Sequence, residues 1–294
     1  MARSSPQSVA AADGVPLHVE VDGPADAPVT VVLAHGWSLD ARTWGPVAQL
    51  LAGPSRVVRY DHRGHGRSAG VDPATMTIDQ LADDLAAVLA AVAPEGPLVL
   101  GGHSMGGMTL MALADRHPGL LARAAGIALV ATASGGVMEQ PFGLAPRQAA
   151  VYRQVEDRFY GSRRWSRRGA FGPSWALGPG LGWLLLGRGA DPAARRLTVR
   201  AVAECRPQTV SGFRATLATH ERDAALAAFA SVPTVLLVGD RDRLTPVRAA
   251  RRIAGALPSA DLTIFPEAGH MLPLERAGGV ADRIAGLVRA ATGR

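Results

Sequence analysis

Ser104 stands in Gly102-His103-Ser104-Met105-Gly106, the G-x-S-x-G spacing in which a serine tops a strained strand-to-helix turn. The flanking glycines suit that geometry, because a Cβ at either position would collide with the neighbouring backbone. A serine hydroxyl is a poor nucleophile at neutral pH and needs an adjacent base, itself oriented by a third group. Downstream, two short stretches could supply these partners. Gly239-Asp240-Arg241-Asp242-Arg243-Leu244-Thr245-Pro246 offers two carboxylates, and Pro266-Glu267-Ala268-Gly269-His270-Met271 offers an imidazole. A serine, a carboxylate and a histidine are the parts of an acyl-transfer site.

These residues need elements that carry them to one place. Leu17–Val21 alternates apolar and polar residues and reads as a half-buried strand, while Val29–Ala34 is continuously apolar and reads as a buried one. Trp44 to Leu51 reads as a short helix and Arg56–Tyr60 as a strand. From Thr77 to Val92, Ile78, Leu81, Leu85, Val88, Leu89 and Val92 fall at helical spacing, with Asp79, Asp83 and Asp84 placed on the outer face. Leu98–Leu100 leads into the serine, a helix follows to His117 before Pro118, and Ile127–Ala131 is the next strand. Strands alternating with helices predict a mostly parallel sheet covered on both faces.

The rhythm then breaks. Helical patterns cover Arg147 to Phe159, Ser174 to Leu186, Pro192 to Glu204 and Thr209 to Thr219, with no convincing buried strand before Thr234–Val238. A helix from Val247 to Leu257, a strand at Leu262–Phe265 and a helix from Gly279 to Ala291 complete the chain. The expected organisation is a core formed by 1–131 and 231–294, with 132–230 as a helical cap. Both acid-bearing and histidine-bearing stretches follow strands, so they belong at the sheet's carboxyl edge, where open α/β sheets place their sites.

Composition excludes several function classes. The chain of 294 residues is 48% hydrophobic and 19% charged, as a folded globular protein is. All 31 basic residues are arginine, scattered and without a nucleic-acid motif, so the net charge of +6 reflects coding bias and nucleic acid is not an expected partner. The densest run, Arg163-Arg164-Trp165-Ser166-Arg167-Arg168, reads as a solvated loop. One cysteine, Cys205, forbids an internal disulfide and is expected to pack rather than react. Met1 to Ala12 lacks an apolar h-region and no apolar run reaches spanning length, so a cytoplasmic protein without stable membrane insertion is expected. His62 and His65 lack a third ligand at recognisable spacing, and neither a metal nor a cofactor is implied.

From Val15 to the final helix the chain resembles the α/β-hydrolase-fold serine hydrolases of the esterase and lipase kind. The resemblance is carried by His35-Gly36-Trp37, by Asp61-His62-Arg63-Gly64-His65-Gly66-Arg67-Ser68 and by Gly102-His103-Ser104-Met105-Gly106-Gly107. Gly239-Asp240-Arg241-Asp242 with Pro246, and Gly269-His270, complete it. Their order, nucleophile then acid then histidine, is that of the family. It implies a mostly parallel eight-stranded sheet with helices on both faces and a helical cap inserted after strand 6. It also implies Ser104 as nucleophile, His270 as general base and acid, and Asp242 as the residue that fixes the imidazole. Trp37 and Met105 would supply oxyanion-hole N–H groups. The family's usual spacing selects Asp242 over Asp240, which is then expected to be a turn former. Val130–Gly135 holds no carboxylate, which removes the variant with its acid after strand 6. His35 and His103 match positions that are structural in the family, and the His62/His65 loop is expected to shape the sheet edge.

Serine rather than aspartate at position 104 implies an acyl-enzyme rather than an alkyl-enzyme ester. The resemblance thus predicts hydrolysis of a carboxylic ester, thioester or lactone of a small hydrophobic molecule. Met271 stands where ring-cleavage carbon–carbon hydrolases carry tryptophan. Other members of the fold act as perhydrolases or haloperoxidase-like enzymes, as natural-product lyases or cyclases, or as ligand receptors. A lyase or cyclase would keep its activity in Ser104→Ala, and a receptor would turn over slowly or not at all. Phe142, Leu144, Phe171, Trp175, Leu177, Leu181, Trp183, Leu184 and Leu185 are expected to wall a hydrophobic pocket from the cap.

Overall fold

The computed structural model describes residues 5–137 and 171–293, together with Arg147 and Gln154. The Arg163–Arg168 run, Phe142, Leu144 and most of the helix expected at Arg147 to Phe159 lie outside the described residues. Eight strands form one sheet: β1 (Ser5–Ala10), β2 (Pro16–Asp22), β3 (Thr30–Ala34), β4 (Arg56–Tyr60), β5 (Leu98–His103), β6 (Ala124–Val130), β7 (Thr234–Gly239) and β8 (Asp261–Phe265). Their order is β1-β2-β4-β3-β5-β6-β7-β8. β2 pairs antiparallel with both β1 and β4, and every other pairing is parallel. This is the α/β-hydrolase fold that the sequence predicts.

The central strands are buried on both faces, and their period of two divides the core into two layers. On one face Val32, Val58 and Leu100 pack against α2 (Ile78–Val92) and α3 (Met105–Arg116). On the other, Val31, Leu33, Val57, Val99, Val130 and Leu237 meet α1 (Gly45–Leu51) and the C-terminal helix Ala277–Ala291. Thr77 caps α2, its hydroxyl accepting from Gln80 N–H at 3.0 Å.

Asp84 departs from the outer-face expectation. It sits three residues after Leu81 and four before Val88, inside the buried stripe, and it is fully buried. Arg63 from the loop after β4 clamps it with two bonds, Nε to Oδ2 at 2.6 Å and Nη2 to Oδ1 at 2.5 Å. Arg63 also reaches Asp13 at 2.9 Å. Losing either partner of such a buried ion pair leaves an uncompensated charge, so the pair pins this loop to the core.

Between β6 and β7 lie α4 (Ser174–Leu185), α5 (Pro192–Glu204) and α6 (Pro207–Ala218). The last turn of this stretch, Ala224–Phe229, packs on α3, with Leu226 and Phe229 inside the main core. Helix α7 (Val247–Ala256) and α8 (Ala277–Ala291) complete the order. Among the described residues no helix is long and apolar enough to cross a membrane.

Candidate active site

Ser104 occupies the turn between β5 and α3 at φ 53° and ψ −118°, a region costly for a residue with a Cβ, on the order of 1–3 kcal/mol. The surroundings hold it there. Its N–H donates to Val130 O at 2.9 Å, and Thr132 Oγ1 donates to its carbonyl at 2.7 Å. A Cβ on Gly102 would come within 2.5 Å of the Gly106 backbone, and one on Gly106 within 2.2 Å of Ala34 O. The two glycines let α3 start hard against β3 and β5. Met105 N–H opens α3, where the first helical N–H groups have no acceptor inside the helix.

The loop after β3 packs on this elbow. A Cβ on Gly36 would lie 3.1 Å from both Ser104 Cβ and His103 Nδ1, so Trp37 follows directly beside the serine. The Trp37 indole Nε1–H donates to Val210 O at 3.2 Å, tying this loop to α6. Three buried imidazoles fix the loop. His35 donates from Nδ1 to Gly36 O at 2.8 Å and accepts at Nε2 from His62 N–H at 3.0 Å. His62 returns a bond from Nε2 to His35 O at 2.9 Å. His65 donates from Nδ1 to Arg63 O at 3.0 Å and accepts at Nε2 from Ser38 N–H at 3.2 Å. Through these bonds His62 and His65 clamp the loop.

At the ends of β7 and β8, Asp242 and His270 meet. Asp242 Oδ2 lies 2.9 Å from His270 Nδ1, and both residues are buried. Asp242 Oδ1 accepts from Leu244 N–H at 2.8 Å and Thr245 N–H at 2.9 Å, while Thr245 Oγ1 donates to Oδ2 at 2.8 Å. Burial alone would raise the Asp242 pKa. The charge attraction and hydrogen bond of His270, with the bonds from Thr245, outweigh it and hold the carboxyl below its ordinary value. An ionised carboxylate only accepts, so Nδ1 of His270 is the donor in this contact and Nε2 is the ring nitrogen turned away from Asp242. Asp240 is half exposed, and its carboxylate faces Arg241 Nε at 4.0 Å rather than the turn backbone it was expected to bind.

His103, expected to be structural, donates from Nε2–H to His270 O at 2.8 Å. Glu275 escapes a motif reading. It receives Gly187 N–H at 2.7 Å and the N–H groups of Gly269 and Met271 at 3.1 Å. Leu185 O, at the end of α4, accepts from His270 N–H at 2.8 Å. The histidine loop is thus strapped to the inserted helices as well as to the elbow. Glu275→Ala, which strands these buried donors, is expected to cost about 2 kcal/mol of stability, read from urea unfolding. An unchanged midpoint would show that the strap is dispensable.

Ser104 and His270 line one cavity of about 140 Å³. Its walls are Trp37, Leu39, Leu244 and Met271 from the core and Phe171, Leu181, Leu184, Leu185, Val202 and Val210 from the inserted region. Of the residues expected to wall it, Trp175 and Trp183 instead face outward, 82% and 61% exposed. Cys205 is buried beside Val210, and burial pushes its thiol up to about 12, which fits packing rather than reaction.

Burial also keeps several imidazoles neutral. It lowers His65 to about 4, His103 to about 3 and His220 to about 4, and it holds His35 and His62 well below the usual value. Between those native values and the unfolded value of about 6.5, the unfolded chain binds more protons than the native one. Stability is therefore complete above that value and falls as pH drops towards 4, by up to about 1.4 kcal/mol per pH unit for each such histidine. Urea unfolding at stepped pH checks this, and a flat profile over that window would contradict it.

A profile described as the Alpha/beta hydrolase family matches residues 31–283. The pimeloyl-[acyl-carrier protein] methyl ester esterase of Chromobacterium violaceum is 33% identical over 246 residues, covering 82% of this chain and 86% of the relative. The monoacylglycerol lipase of Mycolicibacterium smegmatis is 28% identical over 279 residues, 90% of each. A thermophilic esterase from Thermogutta terrifontis superposes with a TM-score of 0.77 at 26% identity, covering 99% of both chains. On the profile match over most of its length and the shared fold, the chain belongs to the alpha/beta hydrolase family.

Proposed function

We propose that this protein cleaves a carboxylic ester of a small hydrophobic molecule through an acyl-enzyme on Ser104. That it is an ester-hydrolysing enzyme follows from its family and from relatives that carry that activity in their names. The observation that carries the finer reading is the buried Asp242–His270 pair, whose imidazole lines one apolar cavity with a serine on a strained turn.

In this reading His270 Nε2 takes the Ser104 proton as Oγ attacks the ester carbonyl. The oxyanion is met by the N–H groups of Trp37 and Met105. The tetrahedral intermediate collapses, the alcohol leaves with the proton from His270, and Ser104 holds the acyl group. Water then attacks, giving its proton to His270 Nε2, and Ser104 leaves with it, releasing the acid. Asp242 keeps the tautomer throughout and stabilises the imidazolium. The stretch 132–230 acts as the cap, with α4, α5 and α6 supplying apolar walls that shield the acyl site from bulk solvent.

A series of p-nitrophenyl esters from acetyl to hexanoyl tests this. Each methylene buried in the apolar lining contributes about 0.8 kcal/mol, so kcat/KM should rise about threefold or more per carbon until the cavity fills. Absence of hydrolysis across the series, or hydrolysis that persists in Ser104→Ala, would overturn the reading.

A further inference from the structure

Helix α4 has two unlike sides. Its inner side supplies Leu181, Leu184 and Leu185 to the cavity that holds Ser104 and His270. Its outer side shows Trp175 and Trp183, and no residue of Ser174–Leu185 is charged. A soluble surface seldom leaves two tryptophans this open on one short helix without a use for them.

Beside Trp183 opens a second depression of about 450 Å³, whose charged lining residues are Arg188, Arg195, Arg241 and Arg243. Arg243 donates from Nη1 to Trp183 O at 2.7 Å, and its guanidinium carbon lies 4.7 Å from the Trp183 ring centroid. Arg241 is paired with Glu267 at 2.7 Å. Among the described residues, Arg188, Arg195 and Arg243 have no carboxylate within ion-pair distance. An uncharged helix face bearing tryptophans, edged by arginines short of counter-charge, has the make-up of a segment lying in a headgroup layer. There indole sits at the acyl boundary and arginine meets phosphate.

We infer that this face docks the enzyme on an anionic phospholipid surface. An acidic carrier protein would also satisfy the arginines, but it would leave the exposed indoles and the uncharged length of α4 unexplained. The face is the outer side of the helix whose inner side lines the catalytic cavity, so docking would hold that cavity close to esters dissolved in the surface. The contact stands on surface chemistry alone, and only its use in substrate delivery rests on the acyl-enzyme reading.

The test is co-sedimentation of the full chain with vesicles of phosphatidylcholine, alone or mixed with phosphatidylglycerol, with tryptophan emission read in parallel. Binding should need phosphatidylglycerol, weaken with salt and shift the emission to the blue. The double variants Arg188→Ala/Arg195→Ala and Trp175→Ser/Trp183→Ser should each lower partitioning about tenfold or more. Both should hydrolyse soluble p-nitrophenyl acetate as the unaltered chain does. Ser104→Ala should bind vesicles normally, which separates docking from turnover. Failure to bind anionic vesicles, or binding indifferent to both double variants, would overturn the proposal. So would binding to an acidic acyl carrier protein in place of vesicles.

Discussion

Ser104→Ala is expected to lower kcat on p-nitrophenyl esters by on the order of a million-fold, with the fold intact. The size follows from the chemistry. Without Oγ there is no acyl-enzyme, and what remains is water attack on an ester held in the cavity near the oxyanion donors. Stability should hardly move, because alanine at φ 53° bears the same backbone strain as serine. Ser104→Gly should be equally inactive yet more stable by about 1 kcal/mol, since glycine adopts positive φ without penalty. Thermal unfolding of the two variants beside kinetics would separate strain from chemistry. Equal stability of all three chains would show that the elbow is not strained.

Asp242→Asn is the second large effect, a loss of about ten-thousand-fold in kcat. The amide offers an N–H where His270 Nδ1–H needs an acceptor, so the imidazole turns to the wrong tautomer and Nε2 no longer accepts the Ser104 proton. Asp240→Asn should stay near full activity, because that carboxylate is half exposed and faces Arg241. The pH dependence separates them further. Asp242 has a native pKa below its unfolded value of about 3.9, so its contribution to stability is present above that value and is lost as pH falls through the native pKa. The stability gap between the unaltered chain and Asp242→Asn should therefore narrow at low pH. Full activity in Asp242→Ala with loss in Asp240→Ala would reverse the assignment.

The meeting of the three candidate residues was legible because each motif is local: Ser104, Asp242 and His270 each follow a strand within a few residues, and parallel strands deliver all three loops to one edge. The buried strands were legible for the same reason, as runs of valine and leucine. β1 was not, because Ser5–Ala10 is a polar edge strand that gains its place only by pairing with β2. Asp84 defies its residue type: its helical position lies in the buried stripe, and the partner that makes its charge tolerable there, Arg63, lies in a loop distant in sequence. Thr245 and Glu275 show no pattern of their own, since their bonds around His270 arise only when the acid and histidine loops fold. Trp175 and Trp183 read as pocket walls by type, yet the side of α4 they occupy is set by which residues of that nearly all-apolar helix meet the core.

The central claim is that Ser104 is a nucleophile activated by His270. Treatment with a fluorophosphonate followed by peptide mass spectrometry tests it most directly. One equivalent of phosphonyl group should attach to Ser104, and His270→Ala should slow labelling by several orders of magnitude. An unlabelled Ser104, or labelling at the same rate in His270→Ala, would contradict the account.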